Sequence, residues 1–241
     1  MQDRYAGDVG DFGKIGMLRE IASTGLKVGV NWYLTYKPEE HGKGDGKYVG
    51  YLNDKAFKGC DDQLLESLRL IVAGERSVEA IERADLIHGA SYYSEMLKGG
   101  NVSGFSRSSW HTKSLEVLGD SDIILCDPDN GLLVKSISLG SSKSDKYVAA
   151  DEISSYYQAG KSVVFYNHRC REKEAVYLKR FDALRQRKEL SGAKWKALKF
   201  ARGSVRDYFF INQSNHVSQI EAAIQNITRG NWGRHFSILN I

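Results

Sequence analysis

Asp127-Pro128-Asp129-Asn130-Gly131 follows directly on the apolar run Ile123-Ile124-Leu125-Cys126, and Pro128 is one of only two prolines in 241 residues. A short buried strand that ends in such a turn is where open α/β sheets place their chemistry, because the carboxyl ends of the strands face a crevice. The same residues are good turn formers on backbone grounds alone, proline fixing φ and Asn-Gly tolerating positive φ. Asn167-His168-Arg169 follows the run Val163-Val164-Phe165-Tyr166 in the same way, so the two turns are expected to be neighbours. Near the amino terminus, Asp8 and Asp11 suit the start of a helix, and Lys14 is spaced to pair with Asp11. With Asn31 and Asp45 these residues make a carboxylate-rich mouth for the sheet.

Several chemistries fit such a mouth. Hydrolysis of a base–sugar bond needs a carboxylate, Asp8 or Asp127, to stabilise an oxocarbenium-like sugar and orient water. Amides at Asn31, Asn130 or Asn167 would read an extruded base, and His168 would stabilise the departing one. Methyl transfer to a base needs S-adenosylmethionine and no carboxylate pair. Metal-dependent phosphodiester cleavage would use Asp8, Asp11, Asp127 and Asp129 to hold magnesium, with Lys14 stabilising charge. A non-catalytic binder is the fourth reading, since basic charge alone gives binding. Glycosidic hydrolysis is favoured, with Asp8, Asp11, Lys14, Asp127 and His168 as the catalytic set; it calls for neither metal nor cofactor.

The charge distribution points to the same class of partner. Residues 161–206 carry fourteen Lys or Arg against four Asp or Glu, a balance of +10 in a chain of net +4. This footprint suits a polyanion, and Lys179, Arg180, Arg185, Lys194, Lys196 and Lys199 are the candidate contacts to a nucleic-acid backbone. Aromatics are interleaved, including Tyr166, Tyr177, Phe181, Trp195, Phe200 and Tyr208, a pattern that serves base stacking or core packing. Three widely spaced cysteines favour neither a disulfide framework nor a cysteine metal site. No secretory signal and no membrane-length apolar run is present, so a cytoplasmic protein without membrane contact is expected.

The elements that must position these residues alternate. Helices are expected over residues 12–23, 61–74, 77–87, 112–118, 146–159, 171–190 and 216–228, the sixth long and basic. Strands are expected over 26–36, 122–126, 162–166, 195–200 and 208–212, the last two as an antiparallel hairpin. The order predicts one Rossmann-like α/β domain, a mostly parallel sheet flanked by helices, with residues 54–110 as an inserted helical segment. The polar, glycine-containing stretch 37–47 suits a ligand loop.

Tyr5-Ala6-Gly7-Asp8-Val9-Gly10-Asp11-Phe12-Gly13-Lys14 resembles the amino-terminal motif of the ribosomal-RNA adenine-N6 methyltransferases, roughly His-Ala-Gly-Asn-x-Ala-Asp-x-x-Lys. The carboxy-terminal half is similar in order: strand, Asp-Pro turn, helix, strand, basic helix, final strand pair. The resemblance implies a Rossmann-like fold and, in the family, an Asp-Pro-Pro-Tyr turn that holds an exocyclic amine and stacks on the base. Asp127 and Pro128 persist here, while Asp129 and Asn130 replace Pro and Tyr. The family's cofactor also needs a glycine-rich turn after the first strand, where this chain reads Asn31-Trp32-Tyr33-Leu34-Thr35-Tyr36. The chain further looks like bacterial antiviral proteins that remove modified bases, including glucosylated hydroxymethylcytosine, from phage DNA. That likeness implies modified DNA as partner, the loop bearing Asp45 as a sugar contact, and Trp32 or Tyr33 as a stacking face; the residues of the mouth itself add Asp129, Asn130, Asn167 and Arg169 to the substrate-binding set.

Overall fold

The computed structural model describes residues 1–36 and 48–241. Seven strands form one sheet in the order β2-β1-β3-β6-β8-β7-β9: β1 (Val28–Asn31), β2 (Ser91–Tyr93), β3 (Ile123–Cys126), β6 (Ser162–His168), β7 (Lys194–Arg202), β8 (Ser204–Asn212) and β9 (Phe236–Ile238). The four strands β2, β1, β3 and β6 run parallel, and the last three join antiparallel. Two short strands, β4 (Gly131–Leu132) and β5 (Tyr147–Val148), pair separately beyond the Asp-Pro turn. The fold is the expected α/β, Rossmann-like architecture, and the hairpin of β7 and β8 turns through the single residue Gly203.

Both faces of the sheet are buried, as near-continuous apolar strands require. On one face, α1 (Val9–Ala22), α2 (Asp62–Ala73), α3 (Val78–Arg83) and α8 (Val217–Arg229) pack onto Val28, Val30, Leu198, Tyr208 and Phe210. On the other, α4 (Arg107–Val117), α5 (Ala150–Gln158), α6 (Glu174–Leu178) and α7 (Asp182–Arg185) cover Ile124, Val163, Phe165, Phe209 and Ile211. Residues 54–110 supply α2, α3 and the edge strand β2 to this same sheet and core.

Several expected elements differ in extent: α3 ends at Arg83, α4 begins at Arg107, and β5 precedes α5 within residues 146–159. β1 stops at Asn31 instead of running to residue 36, because Tyr33 adopts φ +46° and turns the chain out of the sheet. The basic helix expected over 171–190 is broken into α6 and α7, with tight 3-10 turns at Lys179–Phe181 and Lys188–Leu190. Tyr177, Phe181, Leu184 and Leu190 must all reach the core, and this packing overrides the helix propensity of the charged residues between them.

Helix α1 carries the amino-terminal motif and begins three residues earlier than expected, because Asp8 is its N-cap: Oδ1 accepts from the backbone N–H of Gly10 (2.7 Å) and Asp11 (3.0 Å). Its glycines let neighbours approach the backbone; a Cβ at Gly13 would stand 2.6 Å from the Phe200 ring, and one at Gly16 would overlap Trp232. Gly16→Ala is therefore expected to destabilise the protein by about 1–3 kcal/mol through overpacking, only partly offset by about 1 kcal/mol of helix propensity. Urea denaturation checks this, with an unchanged or raised midpoint contradicting the close approach.

Candidate active site

The carboxyl ends of β3 and β6 and the amino end of β8 open onto a cavity of about 460 Å³, on the α1 side of the sheet. Its acidic end is built from distant parts of the chain. The Lys14 ammonium lies 2.7 Å from Asp11 Oδ1 and 2.6 Å from Asp127 Oδ2, and sits over the Trp32 ring at 5.0 Å. All three charged side chains are almost fully buried. The backbone N–H of Asp127 donates to Asn31 O at 2.9 Å, which ties the turn to the end of β1.

Burial pushes Asp11 and Asp127 above the ordinary carboxylate value, and the adjacent Lys14 pulls them back only in part. For Lys14 burial opposes the charge, but Asp11 and Asp127 outweigh it and hold the ammonium protonated well above its ordinary value. At Asp129 burial also disfavours charge; the Met1 ammonium at 2.8 Å and the Gln2 amide at 2.6 Å prevail and keep its carboxyl low. The Met1 ammonium donates as well to Tyr33 O and Asp127 O.

The other end of the cavity is aromatic and basic. Side chains alternate along β6 and β8, so Tyr166 and His168 share a face with their partners Tyr208 and Arg206. The Tyr166 hydroxyl is 3.1 Å from His168 Nδ1. Tyr5, Tyr48 and Gly203 complete the wall. Asp8 Oδ2 stands 3.6 Å from the Arg206 guanidinium.

Of the residues expected from sequence, Asp8, Asp11, Lys14, Asp127, Asp129, Asn130 and His168 line this one cavity. Asn31, Trp32, Tyr33 and Asn167 do not. Asn31 is fully buried, donating to the Tyr156 hydroxyl (2.9 Å) and accepting from Tyr33 N–H. Trp32 stacks on Tyr92 and donates to Glu82. Tyr33 is enclosed against Trp110 with its hydroxyl on Glu152, so neither ring is free to stack on a base. The Asn167 amide is spent on Tyr177, His168 O and Leu132 N–H. Arg169 is bound to Asp207 and Glu174. These five are framework, as tightly shared hydrogen bonds behind a strand end require. Asp45 and the rest of residues 37–47, expected from sequence to be a ligand loop, lie outside the described residues.

The expected backbone contacts separate along the sheet. Lys194 and Lys196 pair with Asn212 and Phe210, whereas the cavity lies beside Arg206, about 20 Å and about 13 Å along the strand at 3.3–3.4 Å per residue. Lys196 is paired with Glu221 and Arg180 with Glu172; Lys179, Arg185, Lys194 and Lys199 make no ion pair among the described residues. Arg206, Tyr166 and Tyr208 are the functional candidates that sequence reasoning did not place. Their signal was present as the end of the basic stretch and its interleaved aromatics, but not which face they share.

Among the described residues, no three His, Cys, Asp or Glu side chains are grouped to hold a metal, and Lys14 fills the space between Asp11 and Asp127 that a cation would take. The segment after β1 does not fit S-adenosylmethionine: Trp32 and Tyr33 are fully buried, Leu34 O accepts from Leu97 N–H, and Thr35 N–H donates to Met1 O. No helix among the described residues is long and apolar enough to cross a membrane. Compared with models of protein families and with curated proteins, the chain matches neither a family nor an individual protein.

Proposed function

We propose that this chain is a base-directed enzyme that hydrolyses the N-glycosidic bond of a modified base in DNA, as a cytoplasmic defence against phage. The observation that carries the reading is Asp127: one carboxylate oxygen is fixed by Lys14 and the group faces a tyrosine-walled cavity. In the reaction the bond between sugar C1′ and the base nitrogen breaks, and its electron pair leaves with the base. Asp127 stabilises the positive charge that develops on the sugar, and water then adds to C1′ and gives up one proton, which ends on the departed base nitrogen. Asn130 and the tyrosines receive the extruded base, and His168 at the rim supports its departure. A volume of about 460 Å³ falls within the range of small-ligand pockets and leaves room for a base with a bulky substituent such as a hexose.

The amino-terminal motif and the element order favour methyl transfer as a second reading, but the filled segment after β1 weighs against it. Mass spectrometry of modified and unmodified DNA, incubated with and without S-adenosylmethionine, separates the two. Free bases and abasic sites without cofactor support hydrolysis; methyl gain that depends on cofactor overturns it. The distal cations act on affinity in this reading. Lys194→Ala with Lys196→Ala should lower the salt slope of DNA binding by about 1 per lost phosphate contact, leaving turnover at saturating DNA within twofold. An unchanged slope removes that face from the DNA path.

A further inference from the structure

The cations of the cavity are not equivalent. Lys14 is hydrogen-bonded between two carboxylates, and the Met1 ammonium is paired with Asp129. Arg206 differs. Its Nη1 donates to Arg202 O at 2.9 Å, which fixes the guanidinium to the β7–β8 hairpin. Its nearest acid is Asp8, whose Oδ2 lies 3.6 Å from Nη2, beyond hydrogen-bond distance. Asp8 is itself engaged through Oδ1 with two N–H groups of α1. The Nε and Nη2 edge of Arg206 thus has no hydrogen-bonded acceptor among the described residues, although its side chain is only 14 % exposed.

We infer that this edge is the binding site for a phosphate of the nucleotide whose base enters the cavity, an assignment that rests on the base-directed reading above. A planar guanidinium with two parallel N–H donors matches phosphate oxygens, and partial burial strengthens the charge-assisted bonds. Placement gives the polarity. Asp127 follows β3, and Arg206 lies two strands away on β8, with Tyr166 on the intervening β6 and Tyr208 beside Arg206 on β8. At about 4.8 Å per strand the acidic and basic ends are roughly 10 Å apart across the sheet, the scale of one nucleotide. The sugar-phosphate lies toward β8 and the hairpin, and the glycosidic bond lies toward Asp127. Gly10 belongs to the same device. A Cβ there would stand 2.6 Å from Nε and 2.8 Å from Nη2 of Arg206, so only glycine lets the guanidinium lie against α1.

The test is titration calorimetry of the full chain with the four deoxynucleosides, their 5′- and 3′-monophosphates, and a trinucleotide containing the best of them. The native protein is expected to bind at least one phosphorylated form tenfold or more tightly than its nucleoside. Arg206→Gln should erase that difference while keeping nucleoside affinity within about twofold, which also shows that the variant is folded. Arg206→Lys should restore part of it, and Gly10→Ala should weaken the phosphorylated ligand alone. Preference for a monophosphate over the trinucleotide places a free nucleotide at the site; the reverse places a strand there. A phosphate preference that survives in Arg206→Gln overturns the assignment. Equal affinity of the native protein for nucleosides and nucleotides overturns it while leaving the base-directed reading standing. Binding of none of these ligands, together with no base release from DNA, removes both.

Discussion

Asp127→Asn is expected to lower base release from DNA by about 10²–10³-fold, the range for loss of one preorganised electrostatic group, while the fold persists. Asparagine keeps the shape of the side chain and can still accept a hydrogen bond from Lys14, so the turn and its tie to Asn31 survive. What it cannot do is carry the negative charge that an oxocarbenium-like sugar requires. The pH dependence follows from the direction of the shift. Burial raises the Asp127 carboxyl above its ordinary value, and activity needs the ionised form, so activity should fall on the acid side at a pH higher than an exposed aspartate would give. Lys14 partly opposes that rise, so a variant that keeps the carboxylate but loses the cation should move the acid limb to still higher pH. The pH–rate profile of base release, with thermal unfolding as the control for structure, checks both statements. Full activity in Asp127→Asn, or loss that merely tracks unfolding, would make the turn structural.

Local signals carried much of this site. The strand ending in Asp127-Pro128-Asp129-Asn130 could be read because apolar run and turn chemistry are adjacent in sequence, and Asp8 to Lys14 because capping and pairing span only a few residues. The contact of Lys14 with Asp127 joins residues 113 positions apart and depends on how α1 lies over β3, which no periodicity specifies. Arg206, Tyr166 and Tyr208 escaped for a related reason: the side-chain period of a strand is two, and only the register of β6 against β8 decides which set faces the cavity. Trp32 and Tyr33 misled in the opposite sense. They follow the first strand as ligand-contacting residues would, but the left-handed turn at Tyr33 sends both into the core. The basic stretch was legible as charge and not as geometry; it runs from the cavity to the far end of β7, so charge alone could not tell which cations belong to the site.

The largest effect on stability is expected at Lys14. Lys14→Met replaces a buried cation by an apolar chain of similar length and strands Asp11 and Asp127 as buried charges without their partner. Breaking one side of such an arrangement costs about 3–5 kcal/mol. The linkage fixes where in pH this loss appears. The folded Lys14 is protonated well above its ordinary value of 10.5, so its contribution is fully present below pH 10.5 and is lost only as pH rises through the higher folded value. Lys14 itself therefore stays charged across neutral and acid pH, and any loss of the pairing on acidification comes from protonation of Asp11 and Asp127. In the variant, Asp11 and Asp127 bind protons in the folded state more readily than in the unfolded chain, even more so than in the native protein. The folded state then gains stability as pH falls toward 3.8, the ordinary value of both groups. The gap between native and variant should thus be widest near neutral pH and should narrow on acidification, as urea denaturation at pH 7, 5 and 4 would read. Adding Asp127→Asn to Lys14→Met removes one of the two stranded charges and should recover part of the loss, a coupling that a double-mutant cycle measures directly. A gap independent of pH, with additive single effects, would mean that Lys14 stabilises the fold by packing against Trp32 and not by its charge.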